Sequence, residues 1–301
     1  MSQAPDDEPA VGRCAQVACI WEATARKAGN VHRFADFQDL TYVDFVLSAL
    51  AVGPALDQAP RRPVGATVLA AVQATQVLTR TNTNLGIVLL LAPLAKANPP
   101  AWRESVRDVL HELTVADARL AYEAIRLARP GGLGKVSAQD VAQEPTRTLR
   151  EVMALAAERD RIARQYACDF ADVFDVGLPA LRAGWKQFGS VEAAVLHCQL
   201  AWLAAFPDSL IARKRGPAEA EEATRHARAV IAAGGISSAA GRQALAEFDG
   251  WLRAEGHSRN PGTTADLVTA CLFVALRERT MSARLPFPCS LFDPPALRMP
   301  P

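Results

Sequence analysis

Residues 81–97 read TNTNLGIVLLLAPLAKA: a polar break from Thr81 to Asn84, then an apolar run from Leu85 to Ala97 in which Lys96 is the one charge. A surface helix carries its apolar residues on one stripe; a helix that is apolar nearly all round must be covered on every side. The most apolar part, Ile87 to Leu94, contains Pro93 and is far too short to span a bilayer. The stretch therefore predicts a central buried helix, capped by its polar break and enclosed by other helices.

The flanking sequence supplies those helices. Upstream, Cys14–Ala28 repeats apolar residues at helical spacing and stops at Gly29. Thr41, with Asp44 as an acidic capping-box partner, opens a helix expected to end at Gly53-Pro54, and Ala66–Thr79 forms another. Downstream, Pro99-Pro100 starts a helix, and Thr114–Leu127 follows with Thr114 and Asp117 at capping-box spacing. Residues 146–174 read as one long amphipathic helix bearing ERDRIARQY. Val191–Phe206, Glu219–Ala233, Ala239–Ala254 and Thr264–Arg279 complete the set. The prediction is an all-α fold, a single multi-helix orthogonal bundle over residues 10–284. A disordered tail (1–9) and a proline-rich C-terminal tail (285–301) flank it.

Composition agrees and narrows the function. Half of the 301 residues are hydrophobic and 6% are aromatic, a balance that favours packed helices over sheets. A net charge of +1 gives no field to recruit nucleic acid or an anionic membrane. The six cysteines form no C-x-x-C pair and read as buried thiols in a reducing compartment. With an acidic, polar N-terminus, a cytoplasmic protein is expected.

Two familiar motifs fail. Gly131-Gly132-Leu133-Gly134-Lys135 has Arg129 and Val136 where a P-loop requires Gly and Ser or Thr, and no strand precedes it. His111-Glu112 lacks the second histidine of a zincin, since that position is Val115.

Four polar segments at helix ends remain. They are Glu22 with Lys27-Ala28-Gly29-Asn30-Val31-His32; Thr81-Asn82-Thr83-Asn84-Leu85-Gly86; Asp208 to Gly216, containing Arg213-Lys214-Arg215; and Asn260-Pro261-Gly262-Thr263-Thr264-Ala265-Asp266. Each alone reads as an ordinary cap. Together they hold what a nucleotide triphosphate needs: helix N-termini for phosphate oxygens, Asn and Thr donors, basic side chains, and carboxylates for a magnesium ion that keeps phosphates and water as ligands.

In this order the segments resemble those of the triphosphoribosyl-dephospho-CoA synthase family over roughly residues 14–280. The likeness rests on Lys27 and Gly29, on Asn82, Thr83 and Gly86, and on Gly132-Leu133-Gly134 with Asp140-Val141. It extends to Asp160 and Tyr166, to Asp208, Arg213 and Gly216, and to Pro261–Leu267. The resemblance implies a pentosyltransferase that uses ATP and 3′-dephospho-CoA, releases adenine and joins an α-ribosyl unit to the acceptor's 2′-hydroxyl. Inversion at the sugar carbon through an oxocarbenium-like transition state accounts for the stereochemistry.

On that resemblance Glu22, Asp208 and Asp266 are the catalytic candidates, and Asp208, Asp266 and Asp140 the magnesium ligands. Lys27, Gly29, Asn30, His32, Asn82, Thr83, Asn84, Gly86, Arg213, Lys214, Gly262 and Thr263 are the expected binding set. The partners are small molecules, a nucleotide and a ribosyl acceptor, with a homodimer possible.

The sequence also departs from the family pattern. Asn84-Leu85 stands where the family has His-Lys, and Asn30-Val31-His32 where it has Leu-Val-Asp. This resembles a divergent branch associated with C1-metabolising microbes. It keeps open two alternatives: α-ribosyl phosphate transfer in tetrahydromethanopterin-type cofactor synthesis, and a non-catalytic nucleotide-binding protein.

Overall fold

The computed structural model describes residues 10–131, 138–282 and 287. Among them are fourteen α-helices. The first seven are α1 Val11–Thr24, α2 Tyr42–Asp57, α3 Val64–Leu78, α4 Leu85–Lys96, α5 Trp102–His111, α6 Val115–Ala128 and α7 Leu149–Ala154. The rest are α8 Arg161–Ala167, α9 Leu178–Phe188, α10 Val191–Ala205, α11 Ser209–Arg215, α12 Pro217–Ala232, α13 Ala239–Arg253 and α14 Gly262–Arg277. The only bridges outside helices there are His32 with Ala35 and Phe37 with Leu40. The fold is all-α. The terminal segments expected to be tails, and Gly132-Leu133-Gly134, lie outside the described residues, apart from Phe287.

Helix α4 is the central element. Every residue in it except Gly86 and Lys96 is buried, and α3, α5, α14 and α8 pack around it. Helix α14, buried from Leu267 to Arg277, runs beside α4 and also packs on α1 and α10. The two capping boxes appear as written, Thr41 with Asp44 and Thr114 with Asp117. Among the described residues no single helix is long and apolar enough to cross a membrane.

The structure corrects two helix boundaries. Helix α2 does not stop at Gly53-Pro54 but continues to Asp57. Proline cannot donate to the carbonyl four residues back, which here is that of Leu50. The side-chain amide of Gln16 donates to it instead, at 3.0 Å. Gln16 reaches it because α1 and α2 cross at two glycines: a Cβ on Gly12 would stand 2.1 Å from the Gly53 carbonyl oxygen. Pro93 in α4 is handled in the same way, with Tyr166 Oη donating to Leu89 O at 2.6 Å.

The long helix expected over residues 146–174 is instead broken into α7, α8 and a π-helical turn at Val173–Gly177 that leads into α9. The break is at Asp160. Its Oδ1 accepts from the amides of Ile162 and Ala163 at 2.8 and 3.2 Å, so a new helix starts there. Asp169 and Phe170 then turn the chain through left-handed backbone, with φ of 52° and 59°.

Candidate active site

Four helices, α4, α8, α11 and α14, present their N-terminal turns to one cleft of ≈ 1530 Å³. Two of them carry their own acidic cap, Asp160 on α8 and Asp208 on α11. In the other two, α4 and α14, the N-cap residues Asn84 and Pro261 make no side-chain bond to the first turn. In α4, Leu85 N donates to Asn82 Oδ1 at 3.1 Å. The amides of Gly86 and Ile87, both in the cleft wall, have no partner among the described residues. Free amides at a helix start favour anions. Nearby, Asn84 Nδ2 donates to Thr75 Oγ1 at 2.9 Å, and the hydroxyls of Thr83 and Ser48 hydrogen-bond each other.

The loop after α1 is clamped from outside the cleft. The Gln199 side chain accepts from Ala28 N at 3.0 Å and donates to Ala28 O and Asn30 Oδ1, each at 2.9 Å. Asn30 Nδ2 in turn donates to Asn260 Oδ1 at 2.6 Å, joining the first and fourth segments. Gly29 donates to Asp249 Oδ1 at 2.7 Å and has a φ of +70°, where a side chain would meet Leu252 and Pro261 at under 3 Å. Asn30 reaches the cleft wall; Gly29 and His32 do not.

Lys27 is expected at the phosphates but is fully buried behind the wall. Its ammonium meets Glu22 Oε1 at 2.9 Å, Glu22 O at 2.5 Å and Ala25 O at 3.4 Å. An ammonium has three protons, and three oxygens already surround this one. Burial raises the Glu22 carboxyl and lowers the Lys27 ammonium, while each charge opposes the shift of the other. Glu22 itself lines the cleft. His32, standing where the family has an acid, is held down to about 3 by burial and by Lys27 and Arg253, so its ring is neutral.

Asp266 projects from α14 against the first turn of α4. A Cβ on Gly86 would lie 2.0 Å from Asp266 Oδ2, which is why glycine stands there. The Asp266 carboxylate lines the cleft and has no hydrogen-bond partner among the described residues. Burial, then the charges of Glu22, Asp208 and Asp160, push it well above the usual carboxylate range, with Arg213 opposing.

Asp208 has a different task. Its Oδ1 accepts from Leu210 N and Ile211 N at 2.9 and 3.1 Å, and its Oδ2 from Thr264 N and Thr264 Oγ1, both at 2.8 Å. Four donors occupy the carboxylate, which lies outside the cleft wall, so Asp208 ties α11 to α14 and leaves nothing for a metal or a proton. Ser209 adds to this junction: its hydroxyl donates to Thr263 Oγ1 at 3.0 Å and accepts from Arg161 N at 3.2 Å. Arg213 and Lys214 reach the cleft, Arg213 beside Asp160 Oδ2 at 3.3 Å and Lys214 bonded to His257 O at 3.2 Å. Gly262 and Thr263 line it as well.

Asp140 stands on another lip of the cleft, where Tyr122 Oη and Arg126 hold its loop through Gln139 O and Val141 O at 2.6 and 2.7 Å. Among the described residues no three His, Cys, Asp or Glu side chains gather as a metal-holding group. Magnesium rarely needs such a cage, since one or two carboxylates suffice when phosphates supply the other oxygens.

The sequence reading passed over Arg80, Arg161 and Ser209 as site residues. Arg80 and Arg161 line the cleft and supply cationic side chains where Leu85 cannot. Arg161 stacks on Phe206 with its guanidinium 4.0 Å from the ring centre. The sequence signal was the cap: an Asp inside a charged run can start a helix.

A family model described as CitG, ATP:dephospho-CoA triphosphoribosyl transferase, matches residues 8–285. The 2-(5''-triphosphoribosyl)-3'-dephosphocoenzyme-A synthase of Klebsiella pneumoniae is 34% identical over 113 residues, 37% of this chain and 40% of that protein. A Pseudomonas putida protein named for the same activity is 36% identical over 105 residues, 35% of this chain and 37% of that protein. The matched region thus spans under half of these relatives. A crystal structure from Archaeoglobus fulgidus, named for the same synthase, superposes with a TM-score of 0.59 at 29% identity, covering 77% of this chain and 97% of that one.

Proposed function

The chain belongs to the CitG family of ATP:dephospho-CoA triphosphoribosyl transferases, and on that premise we propose that its cleft moves the triphosphoribosyl group of ATP onto the 2′-hydroxyl of 3′-dephospho-CoA, releasing adenine. One observation carries the reading: the free amides of Gly86 and Ile87 at the start of α4 and the unpartnered carboxylate of Asp266 meet in one cleft.

In this reading the triphosphate lies on the amides of Gly86 and Ile87, flanked by Arg213, Lys214 and Arg80. A carboxylate so close to those amides would repel phosphate unless a cation lay between them. Asp266 is therefore the proposed magnesium ligand, and the ion neutralises phosphate charge when bound. Glu22, fixed by Lys27, takes the proton of the attacking hydroxyl; burial raises its carboxyl and so makes it a stronger base than an exposed glutamate. Asn30, Asn82 and Thr263 orient ribose or phosphate. Asp208 positions α11 rather than touching substrate.

The test is adenine release, measured chromatographically with ATP, magnesium and dephospho-CoA. Release that requires the acceptor, and drops at least 100-fold in Asp266→Ala, is expected. Turnover of phosphoribosyl pyrophosphate with no adenine release from ATP would overturn the donor assignment, and binding without turnover would overturn the transferase itself.

The same reading places the enzyme in the cytoplasm, with the pools of ATP and dephospho-CoA, and pairs it with a second copy through α2 and α3. Among the sixteen residues of α2 the charges are Asp44 and Asp57, and α3 has none among its fifteen. Asp44 serves the capping box and Asp57 accepts from Gly12 N at 2.6 Å. Yet Val43, Leu50 and Val77 are 60%, 49% and 82% exposed. A charge-free face selects a partner of its own kind. Two helices about 24 Å long and about 10 Å wide, side by side, offer roughly 500 Å² of the ~800 Å² per partner that a stable dimer needs. Light scattering is expected to show a dimer that Leu50→Asp with Val77→Asp splits; a monomeric wild type at tens of micromolar would overturn it.

A further inference from the structure

The cleft is larger than one nucleotide requires. Pockets for single small ligands run to about 300–1,000 Å³, and this one is ≈ 1530 Å³. Its two sides also differ in chemistry. The side built by the helix starts of α4, α11 and α14 is polar and charged. The other side, between α4, α6, α7 and α8, has an apolar wall of Leu89, Ile125, Leu127, Val152, Met153 and Ile162, with the exposed charges of Arg126, Arg129, Glu158 and Arg159 around it. An anionic triphosphate would lose its hydration against that apolar wall.

Resting on the transferase reading, we propose that this apolar side is a dedicated subsite for the uncharged alkyl-amide tail of the acceptor, its pantetheine arm. Three observations support it. The subsite starts next to the reacting centre: a Cβ on Gly86 would meet Ile162 Cδ1 at 2.6 Å on one side and Asp266 on the other. An acceptor with its ribose beside Asp266 therefore has its tail directed along Ile162. The wall is of the right character, since Val152 and Met153 are 6% and 9% exposed and Leu127 forms an open lip at 37%. Methionine, unbranched and polarisable, fits a flexible chain. Finally, the polar edge at Tyr122 is already closed, because its hydroxyl donates to Gln139 O. The wall would hold the tail by apolar contact and leave discrimination of the nucleotide end to the charged side.

The test uses pantetheine itself as probe, by saturation-transfer NMR on the full chain, so that its readout is independent of turnover. Saturation is expected to pass from protein methyl groups to pantetheine in the wild type. It should fall at least fivefold in Met153→Glu and in Leu127→Asp, while ATP affinity stays within twofold. Leu127 is at the open lip, so its variant keeps the fold even if Met153→Glu does not. The KM for dephospho-CoA should rise at least tenfold in Leu127→Asp with kcat little changed. No transfer to pantetheine, or transfer undiminished in both variants, would sink the subsite while leaving ATP-dependent adenine release untouched. Absent adenine release with pantetheine still bound would instead remove the transferase reading alone.

Discussion

At the scale of single residues, the cleft depends on side chains that do not line it. Lys27 looks like a phosphate ligand in sequence, yet its ammonium is spent on Glu22 and on two backbone oxygens. Removing one member of a buried pair leaves an uncompensated charge, at about 3–5 kcal/mol. Lys27→Met should therefore lower stability by that amount in chemical denaturation, and Lys27→Met with Glu22→Gln should recover most of it. Gly86 works by lacking a side chain: Gly86→Ala would push Asp266 away from α4. Adenine release should fall more than tenfold while the melting temperature shifts by only a few degrees.

His32 supplies a pH signature. Its ring stays neutral in the native state down to about 3, whereas the unfolded ring titrates near the ordinary 6.5. Between those values the unfolded chain binds the extra proton, so stability falls as pH falls through that window. In His32→Asn the melting temperature should be flatter across it than in the wild type; an unchanged slope would show that the ring is accessible to protons.

At the scale of elements, two prolines stand inside helices because neighbours serve the carbonyls they abandon. Gln16 serves Leu50 and Tyr166 serves Leu89. Tyr166→Phe keeps the ring but leaves the Leu89 carbonyl unpaired in the core. It should cost about 1–3 kcal/mol, measured as a shift in denaturant midpoint with unchanged slope. The expected stop at Pro54 missed this because a proline rule counts local hydrogen bonds, and the rescuing donor comes from another helix. The expected unbroken helix over 146–174 failed for a related reason. Its apolar spacing suits a helix throughout, but Asp160 offers a cap that a periodicity count does not weigh. That break brings Asp160 and Arg161 to the cleft.

At the scale of the molecule, Asp208 is the joint between the third and fourth polar segments. Asp208→Ala should loosen α11 from α14. It should raise the KM for ATP through misplaced Arg213 and Lys214, with magnesium dependence retained; abolished magnesium dependence would mean that Asp208 binds the ion after all. The amino-acid sequence by itself determined the helical class, the buried centre at α4, most helix starts and the order of the four polar segments. These follow from apolar period, cap chemistry and composition, which act over a few neighbouring residues. Only the tertiary structure decided which polar residues face the cleft. Asn82, Arg213 and Asp266 do so, Lys27 and Asp208 turn inward to hold the wall, and Arg80 and Arg161 join unannounced. A side chain's task depends on which partner reaches it first, and those partners come from helices distant in the chain.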